Sequence, residues 1–76
     1  MLKLITILES LKTEPRRLTD EENLYLDQLG DELRRAESDA ARWRILEREG
    51  LHRIEGFDFS EDVLARLTTV RRAAMN

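Results

Sequence analysis

Thr19-Asp20-Glu21-Glu22 opens the longest periodic stretch of this chain and commits it to helix. The threonine hydroxyl can accept from an orphan backbone amide while Glu22 reaches back to the threonine's own N–H, the reciprocal arrangement of a capping box. Three acids in the first turn suit the positive end of the helix dipole. Leu26, Leu29, Leu33, Ala36, Ala40 and Trp43 follow at spacings of three, four, three, four and three. That spacing makes a seam of coiled-coil type, too short for a sustained heptad array. Ala36 and Ala40 would admit a neighbouring helix at close range, and Asp31 and Arg35 are set for an i,i+4 pair on the exposed side. Gly50 fits the left-handed C′ position that ends the stretch, with Leu51 placed to pack on Leu46 in a Schellman closure. One long central helix can break at two places. Gly30 costs about 1 kcal/mol relative to alanine, and Ser38-Asp39 can cap a new helix.

The flanking segments are also helical in pattern. Met1 to Lys12 puts Leu4, Leu8 and Leu11 on one face with Met1 and Ile5 beside them. Leu2, Leu4 and Thr6 alternate as a short strand would, but no partner strand is visible elsewhere, so helix is favoured. Thr13-Glu14-Pro15 ends the segment, because the residue before proline is pushed out of the α region. After Gly56 a helix start is written twice. Asp58 with Glu61 forms one capping box; Ser60 as N-cap forms another, with Phe59 and Leu64 as its hydrophobic staple. Val63, Leu64, Leu67, Val70 and Ala74 then share a face with the arginines outside it. The expected fold is all-α: one domain spanning residues 1–76, a small bundle of three or four helices with one long central helix.

Composition bounds the function. Seventy-six residues bury too little apolar surface for a wide stability margin. Without cysteine there are no disulfides and no thiolate metal ligands. His52 is the sole histidine and lacks a second ligand at metal spacing, so it reads as a surface or helix-end residue. No serine or threonine sits in the context of an activated nucleophile, there is no glycine-rich phosphate loop, and the carboxylates spread along helix faces as a solvated surface does. The expectation is no enzyme and no cofactor. Net charge is −3, with eight acids between Leu18 and Asp39 against Arg34 and Arg35. Phosphate neutralisation needs a basic footprint, and Arg66, Arg71 and Arg72 are the one candidate patch, so direct nucleic-acid binding is disfavoured. Eleven of the thirteen cationic residues are arginine, which suits bidentate pairing at interfaces but also follows from a GC-rich genome. No run approaches the ~20 apolar residues of a membrane span. Met1 to Leu8 is too short for a signal-peptide core, so the expected location is the cytoplasm.

Phe57-Asp58-Phe59-Ser60, followed by Val63-Leu64-Ala65 and Leu67, resembles the last helix of anti-sigma factor N-terminal domains. The type is the zinc-free one that restrains extracytoplasmic-function sigma factors. Leu26-Asp27 with Asp31-Glu32-Leu33 is similar to that family's early acidic element, and Arg42-Trp43-Arg44-Ile45-Leu46 looks like its third helix. The resemblance spans Thr19 to Leu67. It implies sequestration of a sigma factor by helices wedged between its two conserved regions. Leu26, Leu29, Leu33, Trp43, Leu46, Val63, Leu64 and Leu67 would then divide between internal core and partner contacts.

Two functions follow as expectations. The first is a protein-binding regulator that occupies a partner's functional surface, a sigma factor or another regulatory protein. The second is a self-associating structural module paired through the Leu26–Trp43 seam. Trp43 reads more readily as a core residue than as an interface anchor.

Overall fold

The structure, a computed structural model, describes residues 2–53, 55–56 and 59–75; the side chains of 60, 62 and 71–75 are not among those described. Four helices follow in order: α1 (Leu4–Thr13), α2 (Asp20–Arg35), α3 (Asp39–Arg48) and α4 (Phe59–Met75). No strand occurs among the described residues.

Helix α1 begins without a side-chain cap at Lys3. Its end is served from elsewhere, since the Ile5 amide donates to the Glu49 carbonyl at 3.3 Å. It stops at Thr13, as Pro15 requires. Leu4 and Ile7 are both 1% exposed, with Leu8 and Leu11 packed against the core beside them. Ile7 is the buried residue that the Leu4–Leu8–Leu11 face omitted, although i+3 from Leu4 lies on the same side of a helix.

The capping box at the start of α2 forms in both directions. Thr19 Oγ1 accepts from the Glu22 amide at 3.1 Å, and Glu22 Oε1 accepts from the Thr19 amide at 2.9 Å. The helix runs through Gly30 unbroken and ends after 16 residues. The long central helix is therefore two. Ala36 turns extended (φ −65°, ψ 134°), and Ser38 caps α3 by accepting from the Ala41 amide at 3.1 Å. Arg42 reaches back across this turn. Its Nε donates to the Leu33 carbonyl at 3.1 Å and a terminal nitrogen to the Ala36 carbonyl at 3.0 Å. Both ends of the break thus have partners for their orphan backbone groups. Ala40 lies exposed just past the turn, so the alanines do not form a helix-packing seam. Asp31 pairs with Arg34 at 3.2 Å rather than with Arg35.

The end of α3 is a Schellman motif, with Leu51 N donating to Leu46 O at 3.0 Å and Gly50 N to Glu47 O at 3.1 Å. Gly50 takes φ +94° and Gly56 φ +79° in the connection to α4. Because α4 starts at Phe59, Ser60 lies inside the helix and is not its N-cap, and the Phe59–Leu64 staple built on that cap does not apply. Asp58 lies outside the described residues, as do Met1, Phe57 and the side chains of Arg71, Arg72 and Ala74. Phe59 is instead a core residue, 1% exposed, meeting Trp43 edge-on with ring centroids 3.9 Å apart and planes at 83°.

Candidate interaction site

The eight residues expected to meet a partner are placed largely inside the molecule. Leu26, Leu29 and Leu33 on α2 are 1–2% exposed. Trp43 and Leu46 on α3, and Val63 and Leu67 on α4, are also buried, while Leu64 is half-buried at the edge of the core. Four of them come together elsewhere as well. Trp43, Leu46, Val63 and Leu67 line a cavity of about 110 Å³ where α4 meets α1 and α3. Leu4 and Leu8 supply its α1 wall, and Leu51, His52 and Arg66 complete it. Leu26, Leu29 and Leu33 do not line this cavity. The division between core and contact that the apolar pattern left open thus falls mostly toward core, because a stripe at helical spacing fits either role.

Two polar clusters brace the helices around this core. The first is centred on Glu22, 6% exposed. Arg16 grips its carboxylate with two nitrogens, each at 2.7 Å, and also donates to Ser10 Oγ at 3.2 Å. One side chain therefore links the end of α1, the Pro15 connection and the cap of α2. The Arg16 bonds, aided by the Thr19 amide and opposed by burial, hold the Glu22 carboxyl down at about 2. The same pairing raises Arg16.

The second cluster is Tyr25, Glu49, Arg48 and Glu32. The Tyr25 hydroxyl donates to Glu49, which is 8% exposed. Arg48 donates to Glu49 at 3.0 Å and, with both terminal nitrogens, to Glu32 at 2.8 and 2.9 Å. Burial, then the neighbouring Glu49 carboxylate, pushes the Tyr25 phenol above its ordinary value. Hydrogen bonds from Arg48 pull Glu32 down, and those to Glu32 and Glu49 push Arg48 up. Sequence spacing identified neither cluster beyond the Thr19–Glu22 box, since Tyr25 and Glu49 stand 24 residues apart. An open groove borders this cluster, with Tyr25, Arg48 and Glu49 on one side and Leu2, Lys3, Glu21, Leu24 and Gln28 completing its lining. Among the described residues, Leu24 is the exposed large apolar side chain, at 58%.

Among the described residues, no group of three or more histidines or acids is placed to hold a metal ion, and no helix is long and apolar enough to cross a membrane. Comparison with protein families, with curated proteins and with solved structures found no match for this chain.

Proposed function

We propose that this chain is a non-enzymatic regulator that acts by binding another protein, with sequestration of a sigma-type factor in the cytoplasm as its sharpest form. The observation that carries the reading is the open junction beneath α4. The core is closed around α2, but where α4 meets α1 and α3 a largely apolar cavity of about 110 Å³ opens toward the surface beside the exposed His52 and Arg66. A partner entering at this cavity would compete for α4, whose place on α2 and α3 is held by packing of its apolar face rather than by its isolated helix propensity. Once displaced, it offers Val63, Leu64 and Leu67, and it uncovers Trp43 and Leu46. Self-association through the Leu26–Trp43 seam is the weaker reading, because Leu26, Leu29 and Leu33 would have to leave a closed interior.

The test begins with capture of the partner from the native host. The captured protein is then titrated with wild type, Leu64→Ala and Thr68→Ala, with the denaturation midpoint recorded for each. Leu64 is half-buried on α4 and Thr68 exposed. Leu64→Ala is expected to weaken binding about ten-fold beyond any loss of stability, as an interface anchor does, and Thr68→Ala to leave it unchanged. Equal affinities would remove α4 from the contact surface and end this reading.

A further inference from the structure

Helix α1 is capped by its neighbours rather than by itself. Lys3 supplies no side-chain cap. Instead the Ile5 amide donates to the Glu49 carbonyl at 3.3 Å, and the Leu4 amide reaches the Tyr25 hydroxyl. Helices α2 and α3 thus hold acceptors where the first orphan amides of a helix need them. Gly50 makes room beside them, since a Cβ there would fall 3.2 Å from Ile5 Cβ. Leu4 and Ile7 enter the shared core, and Leu8 packs against it. Together these features read a helix: acceptors fix its first turn, a gap takes a β-branched side chain, and an apolar floor takes positions i, i+3 and i+4. What ties α1 to this berth is slight. Its ten residues are fewer than an isolated helix needs to persist in water. The connection over residues 14–19 carries no helix, and Arg16 clips it to α1 through Ser10 Oγ at 3.2 Å. The Arg16–Glu22 pair lies on the α2 side and does not require α1.

We infer that the berth of α1 on α2 and α3 is a docking groove for an amphipathic helix of another protein, with α1 as its resident competitor. The seated α1 is the template for that helix. Its first turn has free amides, an apolar residue and then a β-branched one, with apolar residues three and four positions after the first. The inference stands apart from the α4 contact proposed above, because a chain whose α4 never meets a partner would still exchange α1.

The probe is a fluorescently labelled peptide of residues 2–14, titrated into the full chain and followed by anisotropy. In wild type it must displace a tethered α1, whose effective concentration at its own berth is on the order of 1 mM, so half-saturation is expected near that level. Ile7→Asp in the chain keeps its own α1 from seating. The probe should then half-saturate at a concentration lower by about ten-fold or more. It should also restore the helical circular-dichroism signal if that variant alone has lost it. Ser10→Ala leaves the core intact and removes the clip, and should lower the wild-type half-saturation concentration about three-fold, the effect of one lost hydrogen bond. A peptide carrying Ile7→Asp should bind none of these chains. Failure of the probe to saturate the Ile7→Asp chain would overturn the inference. So would equal binding by the two peptides, or a half-saturation that Ser10→Ala does not move. A stable dimer of the wild-type chain that excludes the probe would assign the berth to α1 of a second copy, and would overturn it as well.

Discussion

Gly30 and Gly50 differ in what a methyl group would meet. At Gly30 a Cβ would find only the Arg34 guanidinium, at 3.5 Å, an ordinary van der Waals contact with the end of a flexible side chain. At Gly50 it would lie 2.3 Å from Ile5 Cγ2, on a backbone at φ +94° that L-residues rarely adopt. Gly30→Ala should therefore stabilise the protein by up to about 1 kcal/mol, through better helix propensity and a less flexible unfolded chain. Gly50→Ala should destabilise it by about 1–3 kcal/mol. Chemical denaturation of the two variants checks both, and a shift in the same direction would contradict the assignment. Glu22 supplies a second prediction at this scale. Its folded-state value, about 2, lies below the ordinary 4.5. A carboxyl depressed in this way contributes stability that is complete above its unfolded value and drains away as pH falls through its folded value. Glu22→Gln should cost roughly 1–3 kcal/mol at neutral pH, where the wild-type carboxylate is ionised and gripped by Arg16. The two proteins' denaturation midpoints should approach each other as pH drops from about 4.5 toward about 2. A gap that stays constant across that window would mean the Arg16–Glu22 pair is not what the charge sustains.

The elements show which features of a sequence speak locally and which do not. Thr19-Asp20-Glu21-Glu22, the stop before Pro15 and the Leu46–Gly50–Leu51 closure were legible because each is settled by bonds within about six residues. The break between α2 and α3 was legible only as a choice between Gly30 and Ser38. Glycine weakens a helix without offering its backbone anything better, whereas Ser38 supplies a cap and Arg42 supplies donors to the carbonyls left open. Arg42's reach to Leu33 depends on the turn already being made, and so could not be read from the stripe. Arg42→Ala should then cost about 1–2 kcal/mol, by removing the donor to the Ala36 carbonyl, leaving the Leu33 carbonyl with the Ala36 amide alone, and breaking the Asp39 pair. Arg42→Lys should recover little, because a single ammonium cannot span both acceptors as the planar fork does. Arg44→Ala, an exposed neighbour, is the control and should sit within about 0.5 kcal/mol of wild type. If all three variants denature at the same midpoint, the turn is held by the Ser38 cap alone. The polar cluster of Tyr25, Glu49, Arg48 and Glu32 marks the limit of such reading, since its members are brought together only by folding α2 against α3.

For the whole molecule, the same apolar period that suggested a seam between chains is used to close one chain on itself. Leu26, Leu29 and Leu33 sit in one interior with residues from α1, α3 and α4. Pattern alone could not choose between these arrangements, because a buried stripe looks the same whether the covering surface is its own or another's. The two arrangements differ in how they fail. Leu33→Asp places a carboxylate at a position now 1% exposed, where it is desolvated without a partner. In a self-contained fold this should cost about 3 kcal/mol or more and remove most of the helical circular-dichroism signal at any concentration. In a seam between copies it would instead give a folded monomer. Arg35→Asp, at an exposed position on the same helix, should retain the wild-type signal. The wild-type denaturation midpoint should also be independent of protein concentration, because Leu26, Leu29 and Leu33 are each buried by the chain that carries them. A midpoint that climbs with concentration, or a helical and monomeric Leu33→Asp, would return the stripe to the role of an interface. It would also shift the functional reading from a regulator of another protein to a module that assembles with itself.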